Sequence, residues 1–405
     1  MILDVNNPEF TRNPYPYYAE IRKSGRPIWA PLSQDYDSSG IWLFGSYADA
    51  LTIFKKSTVI RKYAPSQNTQ ECTSQFYLNP LNRDGPDHVR LRRLVTAFFS
   101  MPAVQALEPV IEVIATELVG GLQRRQFADL INDYAMQLPL QVIAHIIEIP
   151  PGDLGQIRKW SKAIMIDSLQ VTDEIRNNRI ASLAELSGYL SAKIDAHSAN
   201  TKNGLITHLL VQERDGQTSR DELIGTLILL LLAGHETTID LIGNGLWLLL
   251  SHPSQLKLLL QRPELISGAV EEILRYESPA QRSTFRVATT RIQVGACIVD
   301  PGQPLAAIIG SANRDEKIFQ NPDGFDIQRS PNPHLAFGVG AHNCIGKNLA
   351  RMEAEIAIKC IIECLSRSRL TQTGPAWKNN SFFRGLESLT IELMSPLATS
   401  REANT

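Results

Sequence analysis

The sequence predicts a mainly α-helical domain with a small β portion. Three observations carry this reading. From Val104 to Leu250 the apolar residues recur at helical spacing, broken only by turn signals at Pro150–Pro151 and Asn203–Gly204. Further helical runs follow Pro253 through Arg275 and, near the C-terminus, Ile345 to Leu365. Between these two, Thr284 to Asp315 alternates in short runs around a Pro-Gly turn, the pattern of short strands. Length alone suggests about two or three domains. No repeat, low-complexity tract or linker divides the chain, so residues 1–405 read as one domain.

The N-terminal third mixes both element types. GIWLFG, residues 40–45, reads as a strand, and the following helix starts at Ser46, a good N-cap. From Ile60 to Pro86 the periodicity dissolves into a stretch rich in Ser, Asn, Gln and Pro, read as a loop. A basic helical pattern, DHVRLRRLVTAFF, then runs from Asp87 to Phe99.

Composition narrows the function classes. Hydrophobic residues make up 43% and charged residues 20%, ordinary for a globular protein with a large core. A formal charge of -2 and the lack of a basic tail give no sign of nucleic-acid binding. The five cysteines (72, 297, 344, 360 and 364) are few, odd in number and without a C-x-x-C pair. This argues against a disulfide framework and for a reducing, cytoplasmic setting. Cys297, Cys360 and Cys364 read as small buried hydrophobes. MILDVNNPEF has neither a basic segment nor an apolar run, so a signal peptide or membrane anchor is not expected. Leu223–Leu250 is long enough to span a bilayer, but His235, Glu236, Thr237, Thr238, Asp240 and Asn244 interrupt it. A helix apolar on most sides with a polar patch at its middle suits the centre of a soluble protein better.

The most informative segment is HLAFGVGAHNCIGKNLAR, His334 to Arg351. Gly338, Gly340 and Gly346 crowd around Cys344, and glycine permits positive φ and close backbone approach. Cys344 directly precedes a long helix, whose N-terminus favours a thiolate. His342, two residues away, could pair with a nearby anion. A turn that presents a thiolate suits a reactive cysteine or a metal ligand; the plainer reading is an incidental buried cysteine. The spacing of Phe337, Gly340, Cys344 and Gly346, followed by Leu349, Ala350 and Arg351, resembles the F-x-x-G-x-x-x-C-x-G signature of the cytochrome P450 family. That resemblance implies a haem b cofactor with Cys344 as its axial iron ligand and Phe337 packed beside the loop. In this family haem lies between a long central helix and the cysteine loop, and the thiolate pushes electron density toward O–O cleavage.

The patch AGHETT, Ala233 to Thr238, gains meaning beside that loop. A buried acid needs pairing or water, and the plainer reading of Thr237 is a bond back to a helix carbonyl. The patch resembles the family's A-G-x-[DE]-T segment. By resemblance Thr237 is the hydrogen-bond partner on the oxygen-binding side, Glu236 relays protons, and Ala233 and Gly234 let the backbone approach the cofactor. His235 reads as the variable position, facing a neighbouring helix.

Further charges fit the resemblance. Glu272 and Arg275 lie three apart on one helix face, and resemble the family's E-x-x-R ion pair, completed by Arg329. His88 and Arg92 are four apart on one face; with Arg286 and His334 they match partners of the haem propionates. Charge-assisted bonds suit an anionic cofactor. Gln281 and Arg282 lie in the segment that crosses the pocket in this family, with Arg282 expected to face solvent. The resemblance runs from NPYPYYAEIRK to FFRGLESLTIEL, and ANRD and RGLESL match the bacterial branch that tailors macrolides and polyketides.

The implied activity is NAD(P)H-dependent insertion of one oxygen atom from O2 into an apolar natural-product-like substrate, free or carrier-tethered, by a monomer. Electrons would come from a separate ferredoxin or flavodoxin and its reductase, since no cysteine cluster could bind an iron–sulfur centre. A peroxide-driven peroxygenase and a non-catalytic haem-binding recruitment protein are the alternatives. The acid–alcohol pair Glu236–Thr237 argues against both. Leu229, Leu230, Ala233, Phe382 and Phe383 are the expected apolar pocket lining, with Arg61–Tyr77 as a polar lid.

Overall fold

The computed structural model describes residues 7–31, 40–60, 74–166, 172–197, 204–371 and 374–394. The expected lid falls mainly on residues 61–73, and Cys72 with it, outside the described residues.

The fold is organised around one 32-residue helix, Arg220–Ser251. Its start is set by a capping box: Ser219 Oγ accepts from Glu222 N at 3.2 Å, and Ser219 N donates back to Glu222 Oε2 at 3.0 Å. Arg90 then grips the same carboxylate at 2.6 Å, tying the helix start to the Gly85–Thr96 helix that carries His88 and Arg92. By length and composition the central helix could cross a membrane, but most of it is buried in the protein. It packs against the helices Gln137–Ile146, Asp173–Asp195, Ile266–Tyr276 and Lys347–Ser366. All these helices contribute to one large apolar core.

The β portion is a five-stranded sheet in the order Ile28–Pro31, Gly40–Phe44, Pro304–Ala307, Arg286–Ala288, Val59–Ile60. Only the Gly40–Phe44/Pro304–Ala307 pair is parallel, with Trp42 opposite Leu305. The Tyr47–Lys55 helix covers this sheet, capped by Ser46 Oγ accepting from Asp49 N at 3.1 Å. The sheet matters to the site because Arg286 is its register partner to Leu305 and cannot swing freely.

Several boundaries differ from the sequence reading. Within Val104–Leu250 the chain makes a strand, Phe127–Asp129, and a π-helical turn, Ile131–Ala135. Three residues are too few to show a period of two. The run after Pro253 is two helices, Pro253–Gln261 and Ile266–Tyr276, because Pro263 cannot continue the first. The loop between Ile60 and Pro86 holds a helical turn at Ser74–Tyr77 and a 3-10 turn at Pro80–Asn82. The final helix begins at Lys347 rather than Ile345. Gly85 adopts φ +59°, which only glycine takes readily before a proline.

The E-x-x-R pair is fully buried. Arg275 donates to both carboxylate oxygens of Glu272 at 2.8 Å and to the carbonyls of Asn313, Pro322 and Gly324 at 3.1, 2.7 and 2.9 Å. Arg329 Nε approaches the same carboxylate at 3.1 Å, and Asp326 N and Asn332 Nδ2 also donate to it. Removing the charge leaves the fully buried Arg275 guanidinium, and the partly buried Arg329, without their counter-ion. Glu272→Gln is therefore expected to lower unfolding stability by about 3–5 kcal/mol, read from urea titrations. A loss below about 1 kcal/mol, the range of an exposed pair, would contradict this account.

Candidate active site

The cysteine loop is closed at its base by Cys344 N donating to Phe337 O at 2.9 Å. Asn343 reinforces it, with its backbone N on Gly340 O at 3.1 Å and its Nδ2 on Gly338 O at 2.9 Å. Gly338 and Gly340 have φ of +62° and +83°. A Cβ at Gly340 would also lie 2.9 Å from Phe54 O, so glycine is required there for two reasons. Gly346 differs: its φ is negative, nothing in the protein crowds its Cβ position, and its N–H supports the Cys344 sulfur.

Cys344 is accessible although the loop around it is folded in. Burial pushes its thiol pKa up, against the Gly346 N–H and the charges of Arg92, Lys347 and Arg351. The Gly346 N–H at the helix start acts in the expected direction, toward the thiolate. Desolvation outweighs it, and a coordinated metal ion would supply the missing stabilisation.

The site's second wall is the central helix. Along a stretch that is otherwise mostly buried, Ala233 is exposed and Gly234, Glu236 and Thr237 are partly accessible. Thr237 Oγ1 donates to Ala233 O at 3.1 Å and Thr238 Oγ1 to Gly234 O at 3.4 Å. The plainer reading of Thr237 is thus also realised, while its oxygen lone pairs stay available. A Cβ at Gly234 would meet Ile143 Cδ1 at 2.9 Å, so packing also favours glycine there. His235 is buried as expected, its Nδ1 2.6 Å from Leu231 O.

Glu236 is set among charges. Burial acts to raise its pKa, but His235 at 3.5 Å, Lys378 at 3.9 Å and the more distant Arg158 hold it below the usual carboxylate range. Lys378 was not legible in the sequence, and Asp240 showed only as an interruption of the apolar helix.

On the side of the cysteine loop, His88, Arg92, Arg286 and His342 gather around Asp84 and residues 342–344. His342 Nε2 is 2.9 Å from Asp84 Oδ1, and its ring centroid is 4.2 Å from that of His88. Arg92 Nη2 donates to Asn343 O at 2.7 Å. Arg286 feels the Asp84 charge, and its buried Nε has no hydrogen-bond partner among the described residues. Burial lowers the pKa of both Arg92 and Arg286. Two desolvated guanidiniums and two imidazoles beside an accessible thiol fit an anionic, metal-bearing cofactor.

His334 does not join this group. Its Nε2 lies 3.1 Å from Glu271 Oε2, and its Nδ1 accepts from Ala336 N at 3.2 Å. Both ring nitrogens are engaged, so the expected contact to a propionate is corrected to a structural one. Arg351 joins the same carboxylate at 2.6 and 2.9 Å, with its guanidinium 4.6 Å from the Phe337 ring centroid. Arg282 is also corrected. It is buried, not solvated, between Phe285 and Phe382 at 4.8 and 4.6 Å. Phe382 and Phe383 stack edge to face at 4.4 Å and bridge to the Ala280–Gln281 segment.

Comparison with known proteins agrees with this geometry. The cytochrome P450 family model matches residues 140–382. The chain is 34% identical to the monooxygenase PikC of Streptomyces venezuelae, over 95% of this chain and 92% of that one. It is also 34% identical to the polyketide biosynthesis cytochrome P450 PksS of Bacillus subtilis, over 95% and 97%. The solved structure of P450BioI, in complex with an acyl carrier protein bearing hexadec-9Z-enoic acid, superimposes with a TM-score of 0.88. It is 33% identical, over 95% of this chain and 100% of that one. The chain belongs to the cytochrome P450 family. It is accordingly a monooxygenase whose cofactor is haem b, of the bacterial kind that includes macrolide- and polyketide-tailoring enzymes.

Glu271 supplies a pH test of the loop's anchorage. Burial would raise its pKa, but hydrogen bonds from His334 and Arg351 lower it from 4.5 to about 2. A depressed acid contributes stability above its unfolded pKa and loses it as pH falls toward the folded one. Glu271→Gln should therefore flatten the acid limb between pH 4.5 and about 2, measured by unfolding across that range. An unchanged limb would show that the clamp contributes nothing.

Proposed function

We propose that the chain inserts one oxygen atom from O2 into a largely apolar, natural-product-like substrate, by hydroxylation or epoxidation, with Cys344 as the axial ligand. One observation carries the reading: an accessible cysteine on a glycine-turned loop, with desolvated cations beside it and an accessible acid–alcohol segment on the central helix. When bound, haem supplies oxygen activation, and a thiolate donor favours O–O cleavage. The remaining roles belong to the chain. Arg92, Arg286, His88 and His342 hold the propionates. Phe337, Gly338 and Gly346 shape the loop, and the small, exposed Ala233 would leave room for the cofactor beside the central helix. Thr237 Oγ1, whose own proton goes to Ala233 O, presents acceptor lone pairs on the central-helix side, where it would hold a proton that Glu236 passes in from solvent. The pair argues against a peroxide-driven reaction, which needs no such relay.

Electrons come from NAD(P)H through a separate ferredoxin or flavodoxin and its reductase. The substrate binds by apolar burial against Leu229, Leu230, Phe382 and Phe383. Carrier-tethered delivery is supported by the carrier-protein complex of the structural relative P450BioI.

The ligand assignment is tested spectroscopically. Reduced, carbonyl-treated protein should show the red-shifted Soret band of thiolate ligation. Cys344→Ser should abolish it and Cys297→Ser should leave it unchanged; a retained band in Cys344→Ser refutes the assignment. For oxygen activation, Thr237→Ala should keep haem content and divert reducing equivalents into hydrogen peroxide. Product formation should fall by about 10²-fold, the lower range for a lost proton-delivery group. Unchanged coupling of product to NAD(P)H consumed would remove Thr237 from the reaction.

A further inference from the structure

Behind the acid–alcohol pair lies a second carboxylate that the reaction as described does not use. Asp240 is one helical turn beyond Glu236 on the central helix and is buried. Lys378 reaches in from the segment following the Ala376–Trp377 strand, with its Nζ 2.7 Å from Asp240 Oδ1 and 3.9 Å from Glu236 Oε2. Its backbone N donates to Gly385 O at 2.9 Å, which anchors that segment. Gly385 leaves the space Asp240 occupies, since a Cβ there would lie 1.8 Å from Asp240 Oδ1.

We propose that Asp240 and Lys378 are a positioning pair for Glu236: one ammonium is shared between two carboxylates a turn apart, and Asp240 sets how tightly it grips Glu236. This deepens the role given to Glu236 above and rests on that reading. The unequal distances carry the argument. While Asp240 is ionised it holds Lys378, and its own charge opposes a second anion at Glu236. When Asp240 is neutral, Glu236 is the anionic partner within 4 Å that remains to Lys378 among the described residues, and Lys378 binds it as a fixed ion pair. A carboxylate locked in that way cannot pick up and release protons readily.

The surroundings agree. His235 on the same helix, Lys378 and Arg158 favour the Glu236 anion, with Arg158 turned partly toward Asn132 at 2.8 Å. Asp240 faces Lys378, Glu236 and Glu387, and burial raises its pKa to about 6. The charges of Asp240 and Glu236 keep Lys378 protonated despite its burial. Asp240 thus changes charge close to neutral pH, where it would switch the grip on Glu236.

The test is isotope-edited infrared titration of the carboxyl stretches in the reduced carbonyl holoenzyme, with Glu236→Gln assigning the Glu236 band. As pH falls through the Asp240 titration, the Glu236 carboxylate stretch should shift in a step, before Glu236 itself takes up a proton. Asp240→Asn should abolish that step and leave the Glu236 midpoint near the wild-type one, because Asp240 is already neutral there. Lys378→Met should abolish the step and raise the Glu236 midpoint by about one pKa unit. Lys378→Arg should restore both. Loss of the step in both variants, with a raised midpoint only in Lys378→Met, supports the pair. A step that survives in Asp240→Asn, or an unmoved midpoint in Lys378→Met, overturns it. If Asp240→Asn does not fold, Lys378→Met against Lys378→Arg decides: a raised midpoint in the first, restored in the second, supports the pair, and equal midpoints overturn it. Wild-type coupling in Glu236→Gln would instead remove Glu236 from the reaction while leaving these titrations as they are, so the two failures are distinguishable.

Discussion

Two consecutive carboxylates, Glu271 and Glu272, are the constraint on which the cysteine side of the molecule depends. Neighbours on a helix point about 100° apart, so this one turn serves two clusters. Glu272 faces inward and gathers Arg275, Arg329, Asp326 N and Asn332. Glu271 takes His334 on one side of the cysteine loop and Arg351 on the other. The chain leading into Cys344 and the helix leading out of it are thus fastened to the same turn. A shift of the loop would leave the half-buried Glu271 carboxylate without its His334 and Arg351 partners.

Within that frame the loop's own geometry follows from local chemistry. Two positive-φ glycines turn the chain, Phe337 O and Cys344 N close it, and the Arg351 guanidinium covers the Phe337 ring. Burial opposes the thiolate here. The same protein environment that makes the sulfur a poor free anion makes it a good metal donor, because coordination offers the compensation that water would otherwise give.

The cysteine loop, the acid–alcohol segment and the E-x-x-R pair were legible in the sequence because each is a short run whose spacing is itself the signal. Arg286 and Arg92 were picked out by resemblance, and both are desolvated in the structure. His334 was misread because nothing in the linear order reveals that Glu271, 63 positions away, occupies its ring. Arg282 was misread because an isolated arginine in sequence carries no mark of the Phe285 and Phe382 rings that shield it. Lys378 had no signal at all, since Asp240 lies 138 positions away along the chain.

The contact between Gly385 and Asp240 has a consequence for how this chain can change over generations. With a Cβ position 1.8 Å from a carboxylate oxygen, any side chain at 385 must evict Asp240 and release Lys378 from its nearer partner. The two sites are therefore one heritable unit. A larger residue at 385 is accessible only through a lineage in which position 240 has already become small, and mutational libraries that sample the two independently would miss the viable combinations.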